Sequence, residues 1–255
     1  MSQKKTTKLS IDIILPNYNS ELYINDAVQS VINQTYKNWK LYIVDGNSNK
    51  KTKDQLLKFK NNKKIKIIWV RKNNGQGYNR NLGIKKSSSN YVAFIDSDDI
   101  WKKNKLEKQI NFMIKNKYKF SYTGYSTFTK KNKIIKNINP PTRYHFDSFI
   151  KNTTIATSTM MLHRNLLKNI KFTSAKSCDD YYFKCKILKN IKFVFGLKDY
   201  LTQYRISENS ANKKKLRNIY WVWKINRQLN KLSFVSSLIS LLSISLNSFK
   251  KYGFK

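Results

Sequence analysis

Acid is what this sequence has least of for its size: 14 Asp and Glu stand against 51 Lys and Arg, a formal charge of +37. Cysteine is scarcer still. Cys178 and Cys185 lie seven apart in a helical-looking stretch, where two turns separate them by about 10 Å, beyond disulfide reach. With only His145 and His163 besides, no Cys/His cluster has zinc spacing, and free thiols in a reducing cytoplasm are expected. Three prolines and seven glycines are too few to mark a flexible interdomain linker, and no internal repeat is present. The polar, basic start from Met1 to Lys8 lacks the apolar core of a signal peptide, so secretion is not expected. Disorder is excluded by a composition that is 40% hydrophobic and 14% aromatic. The 255 residues suffice for one sizeable core, or one core with a helical appendage.

What is there alternates. Leu9 to Leu15 is a short apolar run closed by Pro16, a buried strand. Ser20 offers a cap for a helix with Leu22, Ala27, Val28, Val31 and Ile32 on one side. A second strand, Trp39 to Val44, ends in the turn Asp45-Gly46-Asn47-Ser48. A basic helix at Lys53 to Lys60 precedes a third strand, Ile65 to Val70. Asn73-Asn74-Gly75 breaks the chain before a helix at Tyr78 to Lys86, and Tyr91 to Ile95 is a fourth strand. Such alternation predicts a parallel α/β sheet, in which ligands gather at the carboxyl ends of strands. Asn17 to Asn19, Asp45 and Asp96 to Asp99 then share one edge. Further on the pattern loosens: a helix at Lys103 to Lys115, strand-like Phe120 to Phe128, an extended Thr153 to Leu162, and a helix at Asp179 to Leu188. Short strands at Phe193 to Phe195 and Tyr200 to Arg205 and a charged helix at Lys214 to Leu229 follow.

A surface this basic favours polyanions, whether nucleic acid, nucleotide phosphates or an anionic membrane face. Yet the lysines are scattered, often beside Asn and Ile, so part of the charge follows overall composition. The acids are more informative, because six of the fourteen fall in three clusters: Asp45; Asp96, Asp98 and Asp99; Asp179 and Asp180. Adjacent carboxylates repel, so grouping them calls for a compensating cation. Asp96-Ser97-Asp98-Asp99 at a strand end can offer hard oxygens to a divalent cation that bridges a diphosphate. A helix cap explains one of these acids but not three in four residues. Asp45 suits a base imide or a ribose hydroxyl, and equally an ordinary Asp-Gly turn. Asp179 and Asp180 open a helix, where the dipole stabilises them; either can serve as a general base toward an acceptor hydroxyl.

The ordered motifs resemble the family 2 glycosyltransferases of GT-A type. Ile13 to Asn19 followed by Ser30 to Tyr36 resembles the family's start, and Val44-Asp45-Gly46-Asn47-Ser48 its nucleotide-base turn. Asn74-Gly75 with Arg80-Asn81-Leu82-Gly83 resembles its donor loop and helix, and Phe94 to Trp101 its DxD segment. Asp179-Asp180-Tyr181 stands where the family carries a Glu-Asp pair, and Tyr204-Arg205 with Glu208-Asn209-Ser210 resembles a later loop. The resemblance spans about Leu9 to Ser210. It implies a Rossmann-like, mainly parallel sheet flanked by helices, with a nucleotide-binding part at about 9–101, an acceptor part at about 102–210 and a helical extension at 211–255. It further implies transfer of a sugar from a nucleotide-diphosphate sugar, UDP foremost, to an acceptor hydroxyl with inversion, in bacterial surface-polysaccharide or lipid-linked glycan synthesis. Pro16, Asn17, Asn19, Asp45, Arg80, Asp96 and Ser97 would hold the donor nucleotide. Asp98 would be the chief ligand of Mn2+ or Mg2+, helped by Asp96 and Asp99, and Asp180 the base beside Asp179. Gly46 departs from the family's second Asp, and Asp179 is a shortened Glu. A metal-bound diphosphate leaves without protonation, so no second catalytic acid is required, unlike in glycoside hydrolysis.

Thr157, Ser158 and Thr159 offer hydroxyls for the acceptor side or an exposed strand face, and His163 reads as structural. Projected at about 100° per residue, Leu232 to Phe249 places serines on one face and Leu232, Val235, Leu238, Ile239, Leu242, Leu246 and Phe249 on the other, with Ile244 and Ser245 misplaced. This is an amphipathic helix and not a span. Its flanking lysines favour contact with an anionic bilayer, over packing on the catalytic domain or a second subunit, which would make the protein cytoplasmic and peripheral on the inner face of the membrane. Two rivals stand beside the transferase. One is a basic nucleic-acid-binding protein, for which no recognition motif is present; the other is a nucleotidyltransferase, which would need a glycine-rich phosphate loop where Pro16-Asn17-Tyr18-Asn19 stands.

Overall fold

The computed structural model describes residues 9–129, 133–173, 177–206 and 211–252. Glu208, Asn209 and Ser210 of the later loop lie outside them. The first half is built of β1 (Ile11–Asn17), α1 (Ile24–Ile32), β2 (Trp39–Asp45), α2 (Lys50–Leu57), β3 (Ile65–Trp69), α3 (Gln76–Lys86) and β4 (Tyr91–Phe94). Then come β5 (Ile100–Trp101), α4 (Lys105–Lys115), β6 (Phe120–Phe128), β7 (Ile134–Ile138), β8 (Arg143–Tyr144) and α5 (Phe146–Phe149). The chain continues through β9 (Met161–His163), α6 (Asp179–Asn190), β10 (Val194–Arg205), α7 (Ala211–Lys224), a π-helical turn (Ile225–Leu229) and α8 (Phe234–Tyr252).

One sheet runs in the order β3-β2-β1-β4-β9-β6-β10-β5, with β7 beside β6 and β8 beside β10. The β3-β2-β1-β4 half is parallel throughout, as the alternation predicts. The second half is mixed: β9 is antiparallel to β4 and β6, while β6 and β10 run parallel. Every residue of β1 is buried, because helices cover both faces. Its side chains alternate: Ile14 joins Val92, Phe94 and Phe183 on one face, and Ile13 and Leu15 join Val28, Ile43 and Leu106 on the other.

Several local readings differ from what the sequence predicts. Ser20 does not cap α1; its hydroxyl bonds the Asn17 side chain, and the helix starts at Ile24 after a turn on the Ser20 carbonyl. The α2 helix begins earlier, at Lys50, because the Asn49 side chain accepts from Thr52 N–H. The two short strands after 190 are one twelve-residue strand with irregular register around Leu197 to Thr202. The stretch predicted as extended, Thr153 to Leu162, is mostly irregular and holds a 3-10 turn at Thr157–Thr159. Val222 and Ile225 belong to the same buried cluster as Phe94 and Phe183, so the C-terminal helices are built onto the main core.

Glycine is required where α3 crosses β1. A Cβ on Gly83 would stand 2.7 Å from Ile14 Cγ2, a contact the packed core cannot absorb without shifting. Gly83→Ala is expected to cost about 1–3 kcal/mol, read as a lowered thermal-denaturation midpoint. An unchanged midpoint would show that α3 is free to move outward.

Candidate active site

Two cavities open at the carboxyl edge of the parallel strands. The smaller, of about 310 Å³, is lined by Asp45, Asn47, Lys53, Leu57, Trp69, Val70 and Arg71. Behind it the ends of β1 and β2 are tied together. Asp45 is fully buried; its Oδ1 accepts from Asn17 Nδ2 at 2.7 Å and Ser48 Oγ at 2.5 Å, and its Oδ2 from Ser48 N–H at 2.9 Å. The carboxylate closes its own turn, the bland alternative for that residue. Asn17 is buried and serves this turn, accepting from Gly46 N–H through its carbonyl. Asn19 uses its side-chain oxygen to receive Asn49 N–H, and Pro16 is buried within β1. A Cβ on Gly46 would come within 2.9 Å of Asn79 Nδ2, so a side chain there would displace that amide.

The larger cavity, of about 400 Å³, lies between α3, the acid turn, α6 and the C-terminal helices, and Asp96, Asp179 and Asp180 all face it. Of the expected donor residues Arg80 joins Asp96 here, apart from Pro16, Asn17, Asn19 and Asp45 at the smaller cavity. Its buried guanidinium reaches Asp96 at 2.7 Å and Asp179 at 3.2 Å, bridging the two acid clusters. Burial works against that charge, but Asp96 and Asp179 outweigh it and keep the guanidinium cationic. α3 comes this close to Asp179 because residue 77 is glycine: a Cβ there would lie 2.8 Å from Asp179 Oδ2.

On α6 the two acids are pushed apart. Burial raises Asp179, more than the opposing pull of Arg80. Burial would raise Asp180 too, but the Lys184 ammonium at 2.6 Å, one helical turn on, holds it down at about 2, with Arg80 and the Thr157 hydroxyl at 3.2 Å assisting. Lys184 in turn donates to the Ile155 carbonyl at 2.7 Å. Asp180 is therefore held as a carboxylate at the cavity wall.

The acid turn is clamped from behind. Asp99 is turned inward, accepting from Ser158 Oγ at 2.5 Å and from Arg205 N–H at 3.0 Å. Burial, reinforced by Asp98 and Asp96, raises it well above the usual carboxylate range. With both oxygens engaged in the interior, Asp99 leaves the expected metal set. Ser158 also receives Asp96 N–H at 2.9 Å, and Thr159 donates to the Ala156 carbonyl. The buried Ser158 hydroxyl supports the acid turn and the buried Thr159 hydroxyl closes its own 3-10 turn; of the three, only Thr157 lines the cavity. Asp98 and Ser97 sit half-buried on the turn, and Arg205 donates to the Asp98 carbonyl at 2.9 Å. Among the described residues no three His, Cys, Asp or Glu converge as a cation cage.

Sequence reasoning missed Lys184, although its spacing of four from Asp180 on a helix is a readable signal. It also missed Trp69 and Arg71, which follow from the rule about strand ends. Tyr125 and Tyr204, ring centroids 5.7 Å apart, line the large cavity, as do Asn218, Val222, Ile244 and Ser248 from α7 and α8. No local signal places those helices there. Both cysteines are free, and burial pushes each thiol up to about 12. His163 packs edge-on against Tyr91, at the far end of β4 from the acids.

The pattern of Glycosyl transferase family 2 matches residues 12–171. TuaG of Bacillus subtilis (strain 168), named for teichuronic acid biosynthesis, is 32% identical over 243 residues, 94% of this chain and 96% of that one. WfgD of Escherichia coli, a UDP-Glc:alpha-D-GlcNAc-diphosphoundecaprenol beta-1,3-glucosyltransferase, is 32% identical over 248 residues, 96% of this chain and 95% of its own. S. aureus TarS 1-349 in complex with UDP-GlcNAc superposes with a TM-score of 0.74 at 20% identity, over 95% of this chain and 73% of that one. The fold is thus of the GT-A type.

A depressed carboxylate contributes stability that is complete above its unfolded value, about pH 4, and is lost as pH falls through about 2. Lys184→Met removes the main stabilising charge. The Asp180 midpoint in a carboxyl carbon-13 NMR titration should then rise above its wild-type value, and acid unfolding should begin at higher pH. An unmoved midpoint would show that Lys184 does not hold the acid ionised.

Proposed function

As the chain belongs to Glycosyl transferase family 2 and is a glycosyltransferase, we propose that it carries a sugar from a nucleoside-diphosphate donor, UDP-linked in the first instance, onto a hydroxyl of a surface glycan under construction, with inversion. The observation that carries this reading is Asp180, an ionised acid on the same cavity as Asp96 and joined to it through Asp179 and Arg80. The family match favours neither the nucleic-acid-binding nor the nucleotidyltransferase reading. The relatives' names support the substrate classes: UDP-glucose and a diphosphoundecaprenol-linked acceptor for WfgD, UDP-GlcNAc bound by TarS.

In this reading the small cavity takes the nucleoside. Trp69, 46% exposed, offers a flat apolar face to a base, and Lys53 and Arg71 flank it with positive charge. Asn17 and Asp45 act by keeping the turn that shapes this cavity, and Asn19 by fixing the start of α2. The diphosphate lies toward the acid turn, where Asp96 and Asp98 supply hard oxygens. Magnesium-type ions are commonly held by one or two carboxylates plus substrate phosphates, not by a full protein cage, and the donor set here fits that pattern. When bound, such an ion, Mn2+ or Mg2+, neutralises charge developing on the departing diphosphate. Arg80 fixes Asp96 and Asp179 in position. Asp180 takes the proton from an acceptor hydroxyl seated beside Thr157, Tyr125 and Tyr204. Attack from the side opposite the leaving group then gives inversion.

Asp180→Asn should lower transfer by about 10²–10⁴-fold, the usual contribution of a general base, while donor affinity measured by calorimetry stays close to wild type. Transfer at the wild-type rate would remove Asp180 from the reaction. In a thermal-shift panel of nucleotide sugars, manganese should enlarge the stabilisation by the correct donor. Asp98→Asn should abolish that increment, and an increment surviving the substitution would place the ion elsewhere.

A further inference from the structure

The C-terminal helix is packed with its sides reversed relative to an ordinary surface helix. The middle of its serine face turns inward, although Ser233 and Ser236 near its start are exposed: Ser237 and Ser240 are fully buried, Ser240 donates to the Ile150 carbonyl at 2.6 Å, and Asn226 Nδ2 donates to Ser240 at 2.9 Å. Asn247 reaches the Lys151 carbonyl at 3.0 Å. Ile244, misplaced on the helical projection, turns in to the cavity with Ser248. The apolar face therefore points to solvent. Val235, Leu238, Ile239, Leu242, Leu246 and Phe249 are each 43% to 64% exposed, and their spacing of three and four makes one continuous stripe. A stripe of that kind marks an interaction surface.

Its own stretch of sequence is cationic. From Ser210 to Lys255 the sequence has ten Lys and Arg and no acid. Arg227 and Lys231 are exposed before the stripe and Lys250 after it. Lys136 bonds the Lys250 carbonyl at 3.0 Å, and exposed Lys151 lies beside Asn247, so strand β7 and the α5 end add to the same rim. Two copies meeting through this face would bring like charges together. A bilayer with anionic headgroups satisfies both features at once, since apolar burial and charge attraction add. No helix among the described residues is long and apolar enough to cross a membrane, which leaves α8 lying in the interfacial plane.

We propose that the outward face of α8, with its basic rim, docks the protein onto an anionic lipid bilayer. The inner side of the same helix contributes Ile244 and Ser248 to the large cavity. Docking thereby sets the cavity wall against the headgroup layer, where a lipid-anchored acceptor presents its sugar. That last step rests on the transferase reading; the docking itself does not.

The test is flotation of the full chain with vesicles of phosphatidylcholine alone and of equal parts phosphatidylcholine and phosphatidylglycerol. Wild type should float with the anionic vesicles, and binding should fall as salt rises. Leu242→Asp with Leu246→Asp, both at outward positions, should weaken that binding about tenfold or more while circular dichroism and donor-induced thermal shift stay unchanged. Lys250→Glu with Lys231→Glu should weaken it on anionic vesicles, again without loss of fold. Wild type remaining in the aqueous phase with both vesicles would overturn the proposal. So would a wild-type dimer by light scattering that the leucine pair converts to a monomer, because the stripe would then be covered by a second copy. Loss of donor binding with flotation intact would count against the transferase reading alone.

Discussion

The buried guanidinium of Arg80 is the interaction on which the site depends. A cation removed from water costs several kcal/mol unless carboxylates replace its hydration. Here Asp96 from the turn after β4 and Asp179 from the start of α6 do so at 2.7 and 3.2 Å. These acids come from parts of the chain more than eighty residues apart, and without the cation between them they would repel. The bridge therefore sets the spacing between the acid turn and the start of α6. Its own position is dictated by two glycines on α3: Gly83 lets the helix lie against β1, and Gly77 lets its start approach Asp179.

Around that bridge, each acid has been given a different task by its neighbours. Asp99 is raised by burial and held by Ser158 and Arg205, so it fixes the turn. Asp180 is kept ionised by Lys184. Asp98 remains half-buried on the turn that Asp99 fixes. Side-chain chemistry alone does not distinguish these four-atom carboxylates; the difference lies in which cation or hydroxyl each one meets. Arg205 adds to this by stacking between Tyr23 and Phe128, with its centre 4.5 and 4.3 Å from the two rings, which locks β10 against the acid turn.

The parallel half was legible in the sequence because each strand and helix there is a continuous run with its own period, closed by turn residues. Strand-end placement of Asp45 and Asp96 follows from that alone. The second, mixed half was not, since β9, β6 and β10 come together only by pairing over long sequence separations, and nothing local encodes an antiparallel insertion. Thr157-Ser158-Thr159 illustrates the difficulty. Three hydroxyls in a row are consistent with lining a site, and only the 3-10 turn decides that Ser158 and Thr159 face inward as supports. For Asp45 and Asn17 the residue types were right for a ligand, but their oxygens and amide are consumed in holding the turn.

Helical projection shows why α8 was the hardest element to orient. It correctly sorts serines from large apolar residues, but a wheel has no inside. The usual assumption buries the apolar side; here Tyr181, Asn226, Ser240 and the Ile150 carbonyl form a hydrogen-bonded chain into which a polar helix face fits. Such a chain is stable only when every member is paired, so the serines cannot be exchanged for leucines without stranding Asn226. The apolar side is left outside as a consequence of that inner polarity. Leu241 and Ile244 supply the few apolar contacts that hold the helix to the core.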